Sequence, residues 1–333
     1  MVSTVATALL ALDWGSSQLR AFALGARGEV LEQRSSADGA SRLPVGAPAF
    51  EAALRGLAGD WLRPGLPVLA CGMVGSAHGW REAAYMACPI GLDTLHRHLL
   101  KVRSLKVQAV KVQAVKVQVQ ASDDLCVHIV PGVTGRDANG LPDVMRGEET
   151  QLVGLAAVRP ALADNATVVM PGTHSKWVRL QAGQLQSFST RMTGELFALL
   201  REHSVLARLM APNDDFDGAA FDRGVAAARQ TRGQDLGRLL FSVRALGLFG
   251  ELAAASAADY LSGLLIGNEL ASALAAGGAG STAPTAPIAL VGETALCARY
   301  ARALGVWGRP AERFEQPLAA AGLWRLGQAA GLC

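Results

Sequence analysis

Two short turns, each rich in glycine and hydroxyls, carry residue types that can hold a polyphosphate. In Asp13-Trp14-Gly15-Ser16-Ser17, the glycine lets backbone N–H groups approach an anion closely, and Ser16 and Ser17 add hydroxyl donors. Asp13, at the end of an apolar run, is a carboxylate of the kind that holds the water shell of Mg²⁺. The second turn lies in Pro171-Gly172-Thr173-His174-Ser175-Lys176-Trp177. It offers Gly172 and Thr173 for backbone and hydroxyl contacts, with His174 and Lys176 as side-chain donors or charge. Either string alone is also an ordinary β-turn, and His174 with Lys176 would equally suit a surface hairpin. The pair is more specific than either half. The chain contains neither a Walker-type GxxxxGK string nor GxGxxG, which removes the P-loop and Rossmann ways of holding a nucleotide.

The elements around these turns repeat. Ala8 to Leu12, Leu19 to Leu24 and Val30 to Arg34 read as a β-meander with the first turn at its first corner. About 160 residues on, Thr167 to Met170, Lys176 to Leu180 and Leu185 to Thr190 repeat the layout around the second turn. Two copies suggest two related halves facing one another across a cleft. Helical patterns cover Gly147 to Val158, Thr193 to Met210, Leu236 to Leu274, Thr294 to Leu304 and Pro317 to Ala330. Asp214 to Gly218 and Gly277 to Pro287 have loop composition. Lys106 to Gln120 repeats KVQAV with a five-residue period that matches neither helix nor strand, and reads as an expendable solvated extension.

With 333 residues, half of them apolar, the chain can build two domains with sizeable cores. A net charge of +3 is too slight to argue for a nucleic-acid or membrane partner, but leaves room for a small anionic substrate. No apolar run reaches bilayer length, and Val5 to Leu12 runs directly into Asp13 without preceding basic residues, as a first strand does and a signal segment does not. Five cysteines without a CxxC fit reduced thiols in a cytoplasmic protein.

The strings LDWGSS, CGMVGSAHGW with YMACP after it, DVMRGEETQLVG, MPGTHSKWV, STRMTGELFALLREHSVL, YLSGLLIGNEL and LVGETALCARYARAL occur in order along nearly the whole chain. Together they resemble the successive signature blocks of the 2-dehydro-3-deoxygalactonokinase family. The resemblance implies an α/β, two-domain actin-like ATPase (ribonuclease H-like) fold. Each domain would be a mixed sheet flanked by helices, with ATP in the interdomain cleft and its β and γ phosphates held by the two turns. It further implies ATP and Mg²⁺ as cofactors and transfer of phosphate to the 6-hydroxyl of 2-dehydro-3-deoxy-D-galactonate, in galactonate breakdown. Residues 1–160 with 316–333 would form the first domain, and 161–315 the second. A homodimer is compatible with the resemblance.

Residue by residue, the same resemblance makes Gly292, with Glu293 beside it, the adenosine motif, although a glycine ending a strand before a helix would look the same. Ser76, His78 and Trp80 would meet the sugar acid, the alternative being a structural turn with Trp80 as a core anchor. Arg146, Arg191 and Arg20 are candidates for its carboxylate, Arg146 being nearest the acidic helix start. Related sugar kinases place the catalytic acid about seven residues before a helical glycine. From Gly154 that register falls on Gly147, one short of Glu148, which leaves Glu148, Glu149 and then Asp13 as candidates. Glu148 is in phase with Leu152 and Leu155, an apolar stripe expected to point inward, which favours it over Glu149. Both acids would also complement the positive end of a helix without any chemistry. An actin-like module that binds ATP without phosphorylating anything, or a phosphohydrolase of the same superfamily, are the rival functions.

Overall fold

The computed structural model describes residues 6–103, 125–137, 139–212, 215–232, 234–276 and 286–333. The Lys106 to Gln120 repeat, Asp214 and most of the segment from Gly277 to Pro287 lie outside the described residues. The chain divides into two units, residues 1–164 with 181–187 and 317–333, and residues 165–180 with 188–316.

The first unit opens with β1 (Leu9–Trp14), β2 (Leu19–Leu24) and β3 (Val30–Ser36), followed by α1 (Ala47–Ala58) and β4 (Val68–Gly72). Every side chain of β1 is buried, which is why its LLAL run is continuous rather than alternating. Short strands follow: β5 (Tyr85–Ala87), β6 (Ile90–Gly91), β7 (Leu100–Arg103), β8 (Cys126–Ile129), β9 (Gly132–Arg136) and β10 (Pro142–Met145). The main sheet has the order β3-β2-β1-β4-β8-β7, and β10-β9-β5 form a smaller one. The helix α1 buries Phe50, Leu54 and Ala58, spaced by four, in a core with Trp14, Val74 and Trp80. The helices α2 (Glu148–Val158) and α3 (Pro160–Asp164) complete this part.

The second unit repeats the plan with β11 (Asn165–Met170), β12 (Ser175–Gln181) and β13 (Gln184–Arg191), whose first residues group with the first unit. Four helices follow, α4 (Thr193–His203), α5 (Gly218–Gln230), α6 (Leu236–Leu248) and α7 (Ala257–Ala276), then β14 (Ile288–Val291), α8 (Thr294–Val306) and β15 (Ala311–Phe314). Its sheet has the order β13-β12-β11-β14-β15, the same as β3-β2-β1-β4-β8 in the first unit. The last pair on that side is parallel in both, β4 with β8 and β14 with β15. The repeated meander in the sequence is therefore a repeated sheet topology.

The last helix, α9 (Leu318–Ala329), belongs to the first unit and lies against α2. The two helices touch backbone to backbone: a Cβ on Gly154 would sit 2.0 Å from the Leu318 carbonyl oxygen, and one on Gly322 would sit 1.9 Å from that of Thr150. Only glycine fits at either position.

Two helical expectations are corrected. The helix expected over Thr193 to Met210 stops at His203, where Ser204 accepts the Leu206 N–H and starts a 3₁₀ turn. The stretch Leu236 to Leu274 is two helices, broken near Gly250, which has a left-handed φ of 72°. A third helix, α5, was not expected, although Asp217 marks its start by accepting the N–H groups of Ala219 and Ala220.

Candidate active site

In the first unit, the chemistry gathers at the ends of β1 and β4 and the start of α2. Asp13 is the penultimate residue of β1, opposite Arg20 on β2 and Cys71 on β4. Its carboxylate accepts from Arg20 Nη2 at 2.5 Å. Burial raises the Asp13 pKa above the ordinary carboxylate value, the Arg20 charge opposes that shift, and the Glu148 charge adds to it. Burial, with the charges of Asp13 and Glu149, holds the Cys71 thiol protonated, so it is no nucleophile. At the turn, Gly15 N–H donates to the Gln18 carbonyl, while Ser16 and Ser17 are exposed at its tip. The turn is braced from behind, where Ala40 and Ser41 donate to the carbonyls of Gly15 and Ser16.

Gly147, the residue before α2, has φ 109°, and a Cβ there would press within 3.2 Å of Gly72 Cα at the end of β4. This close approach sets Glu148 and Glu149 at the strand ends. Glu149 is fully buried, with one carboxyl oxygen accepting Gly147 N–H at 2.7 Å and the other accepting from Thr150 Oγ1 at 3.0 Å. Burial first, and then the Glu148 charge, pushes its pKa up to about 8. Glu148 is half-buried and accepts Arg146 N–H at 3.0 Å. This corrects the stripe expectation, because the more deeply inserted acid is Glu149. The first turns of α2 bury Glu149, Thr150, Leu152, Val153, Gly154 and Leu155, so no single apolar stripe ranks the two acids.

Arg146 follows β10 and is itself buried. Its guanidinium lies 4.2 Å from the Tyr85 ring centroid and donates from Nη2 to the Ala83 carbonyl at 2.8 Å. Nε and Nη1 are buried with no acceptor. Of the other cationic candidates, Arg20 is committed to Asp13, and Arg191, in the second unit, donates to Ser189 Oγ and faces the Trp177 ring. The Cys71 to Pro89 segment splits in role. Ser76 donates to the Met73 carbonyl and His78 is exposed. Trp80 corrects the expectation of a sugar contact, because its ring is buried in the core at 6.3 Å from Trp14 and 6.4 Å from Phe50.

In the second unit, the Gly172 to His174 turn borders a cavity of about 430 Å³, within the usual range for a small-molecule pocket. Its walls include Gly172, Thr193 and Gly194 on the turn side, and Glu293, Leu296, Arg299 and Tyr300 from α8 and the residue before it. Thr173 and His174 are exposed, and His174 Nε2 meets Glu195 Oε2. Lys176 is buried on β12, with Nζ 3.5 Å from the His174 carbonyl, so its charge sits beneath the turn rather than on a hairpin surface. Gly292 lies beside the turn, where a Cβ would be 3.1 Å from the Pro171 carbonyl. Glu293 caps α8 by accepting the N–H groups of Ala295 and Leu296, which lower its pKa.

With this geometry in view, residues 13–326 match the model of the 2-keto-3-deoxy-galactonokinase family. The chain belongs to that family. A relative from Escherichia coli (strain K12) named 2-dehydro-3-deoxygalactonokinase is 36% identical over 300 residues, 90% of each protein. Another, from Rhizobium meliloti (strain 1021) and named "Probable 2-dehydro-3-deoxygalactonokinase DgoK1", is 39% identical over 304 residues, again 90% of each. A solved structure, of "a putative 2-dehydro-3-deoxygalactonokinase protein from Sinorhizobium meliloti", is 38% identical, covers 96% of this chain and 98% of its own, and superposes with a TM-score of 0.79. Members of the family are kinases, so the chain is an ATP-using phosphotransferase with an α/β architecture.

One buried group of this kinase is absent from the sequence-based site. Glu269, on α7, accepts hydrogen bonds from Ser175, Trp177, Thr193 and Tyr300, immediately behind the second turn. A signal was available: Asp259 and Glu269 are the only charged residues of α7, and a charge in the middle of a buried helix demands partners.

Proposed function

We propose that this chain phosphorylates the 6-hydroxyl of 2-dehydro-3-deoxy-D-galactonate, a step of galactonate breakdown, with Glu148 as the base. The observation that carries the reading is the juxtaposition, in one unit, of Arg146 with two orphaned donors and the acidic start of α2. Leaving buried charged donors unsatisfied costs on the order of 1–3 kcal/mol or more, and a substrate carboxylate would remove that cost. Glu149, held neutral near pH 7, is poorly suited to take a proton, whereas half-buried Glu148 can reach a substrate. Glu148 accepts the hydroxyl proton, the freed oxygen bonds to the γ-phosphorus, and the bond to the β–γ bridging oxygen breaks to leave ADP.

Ser16, Ser17, Gly172 and Thr173 supply phosphate donors, Lys176 adds positive charge beneath the second turn, and the 430 Å³ cavity takes the adenosine. Mg²⁺ would be held at Asp13, whose ionisation burial and the Glu148 charge penalise and the Arg20 charge only partly restores, so that a divalent cation adds to the relief. Among the described residues no three His, Cys, Asp or Glu side chains form a protein-only cage. A kinase Mg²⁺ takes one or two carboxylates and completes its shell with phosphates and water. When bound, the ion neutralises charge developing on the phosphates. Among the described residues no helix is long and apolar enough to cross a membrane. The five cysteines are free, which fits a cytoplasmic setting. The test is ATP consumption coupled to product detection across a panel of 2-keto-3-deoxy sugar acids. Preferred turnover of the galactonate-derived acid supports the proposal, and indifference to the carboxylate or to the 6-hydroxyl refutes it.

A further inference from the structure

Both flanks of the second turn are tied to one buried carboxylate. Glu269 Oε1 accepts from Trp177 Nε1 at 2.6 Å, and Oε2 accepts from Ser175 Oγ and Tyr300 OH at 2.8 Å each and from Thr193 Oγ1. Ser175 is the residue after His174, so the first flank of the turn is held directly. Thr193 begins α4, and the next residue, Gly194, abuts the turn: a Cβ there would sit 2.3 Å from the Gly172 carbonyl. Glu195 N–H then donates to the Thr173 carbonyl at 2.9 Å. All five members of the network are buried.

We infer that Glu269 is the positioning residue of the phosphate turn, holding β12 and the start of α4 in the one spacing that presents Gly172 and Thr173 to ATP. This rests on the reading of Gly172 to His174 as a phosphate turn. The donors are of a kind that a buried anion draws together. An indole N–H cannot accept and takes one carboxylate oxygen, while three hydroxyls gather on the other, where Tyr300 is also in hydrogen-bond reach of Ser175 and Thr193. Burial, with the Glu269 charge second, keeps the Tyr300 phenol well above its ordinary pKa, so it remains a donor. A glutamine removes the charge that gathers the hydroxyls. With its amide oxygen turned to Trp177, its two N–H groups face three hydroxyls, and the flanks lose their common acceptor.

The experiment is steady-state kinetics on the full chain for Glu269→Gln, Tyr300→Phe and, as a control on the turn itself, Thr173→Ala, with thermal unfolding in parallel. Misplacement of a binding element by about 1 Å can cost on the order of 10²-fold. The expected result for Glu269→Gln is a fall of roughly 10- to 10²-fold in kcat/KM for ATP, with the sugar-acid KM within about twofold of the parent. Tyr300→Phe, which keeps the ring and removes one donor, should move the ATP constant in the same direction by less, and it decides the question if Glu269→Gln does not fold. An unchanged kcat/KM for ATP in the folded variants, or equal loss toward both substrates, overturns the inference. If Thr173→Ala weakens ATP use and the network variants do not, only the positioning role fails. If Thr173→Ala is silent as well, the turn reading falls and the inference with it.

Discussion

Replacing Glu149 by glutamine should stabilise this kinase, and more so as the pH rises. The native fold holds the Glu149 carboxyl protonated to about pH 8, whereas an unfolded glutamate ionises near its ordinary value of 4.5. Below 4.5 both states carry the proton and the group costs nothing. Between 4.5 and 8 unfolding releases a proton, so native stability falls with each pH unit, and above 8 both states are ionised and the slope ends. A shift of that size at about 1.36 kcal/mol per unit sets an upper limit of about 5 kcal/mol for a fully buried group. Glutamine keeps both contacts, because its oxygen can accept Gly147 N–H and its amide can donate to Thr150 Oγ1. With an unfolding entropy of about 2.1 cal/mol/K per residue, 5 kcal/mol over the whole chain corresponds to roughly 7 °C. The assay is thermal unfolding of the parent and Glu149→Gln in matched buffers from pH 5 to 9. The variant's advantage should be small at pH 5, grow through pH 8 and then level off. An advantage independent of pH, or a glutamine variant that is less stable at pH 8, would refute the neutral-carboxyl argument and return Glu149 to the list of possible bases.

In turnover assays Glu148→Gln should lose on the order of 10²- to 10⁴-fold in kcat with both ligands still bound, as a general base does, while Glu149→Gln stays within a few-fold. Ser16→Ala and Thr173→Ala should each weaken ATP use by about 1.5–3 kcal/mol, with sugar-acid binding largely intact, as read from the separate Michaelis constants. Arg146→Lys keeps the charge but loses the fork, so the sugar-acid KM should rise by roughly ten- to a hundredfold while that for ATP holds, and an unchanged value would move the carboxylate elsewhere. Gly154→Ala drives a methyl into the Leu318 carbonyl and should cost about 3 kcal/mol or more, seen as a lowered denaturation midpoint or loss of soluble protein.

Much of this kinase is written locally. The two glycine- and hydroxyl-rich turns, the strands on either side of each, and the repetition of the meander follow from glycine, hydroxyl and apolar spacing, because turn chemistry and period-two burial act over a few residues. The order of blocks such as MRGEETQ and PGTHSKW along the chain is enough to mark the family. Three features depended on tertiary contact. Periodicity favoured Glu148 as the inward acid, but α9 and the strand ends enclose the start of α2 on several sides, so Glu149 is the buried one. Trp80 looked equally like a ligand platform or a core anchor until its packing with Trp14 and Phe50 decided for the core. Glu269 lies 94 positions from Ser175 and 76 from Thr193, and no local pattern can show that they share one carboxylate. Burial and long-range pairing set desolvation and hydrogen bonding, and with them which acid ionises and which side chain holds another in place. Those quantities belong to the folded chain and not to any segment of it.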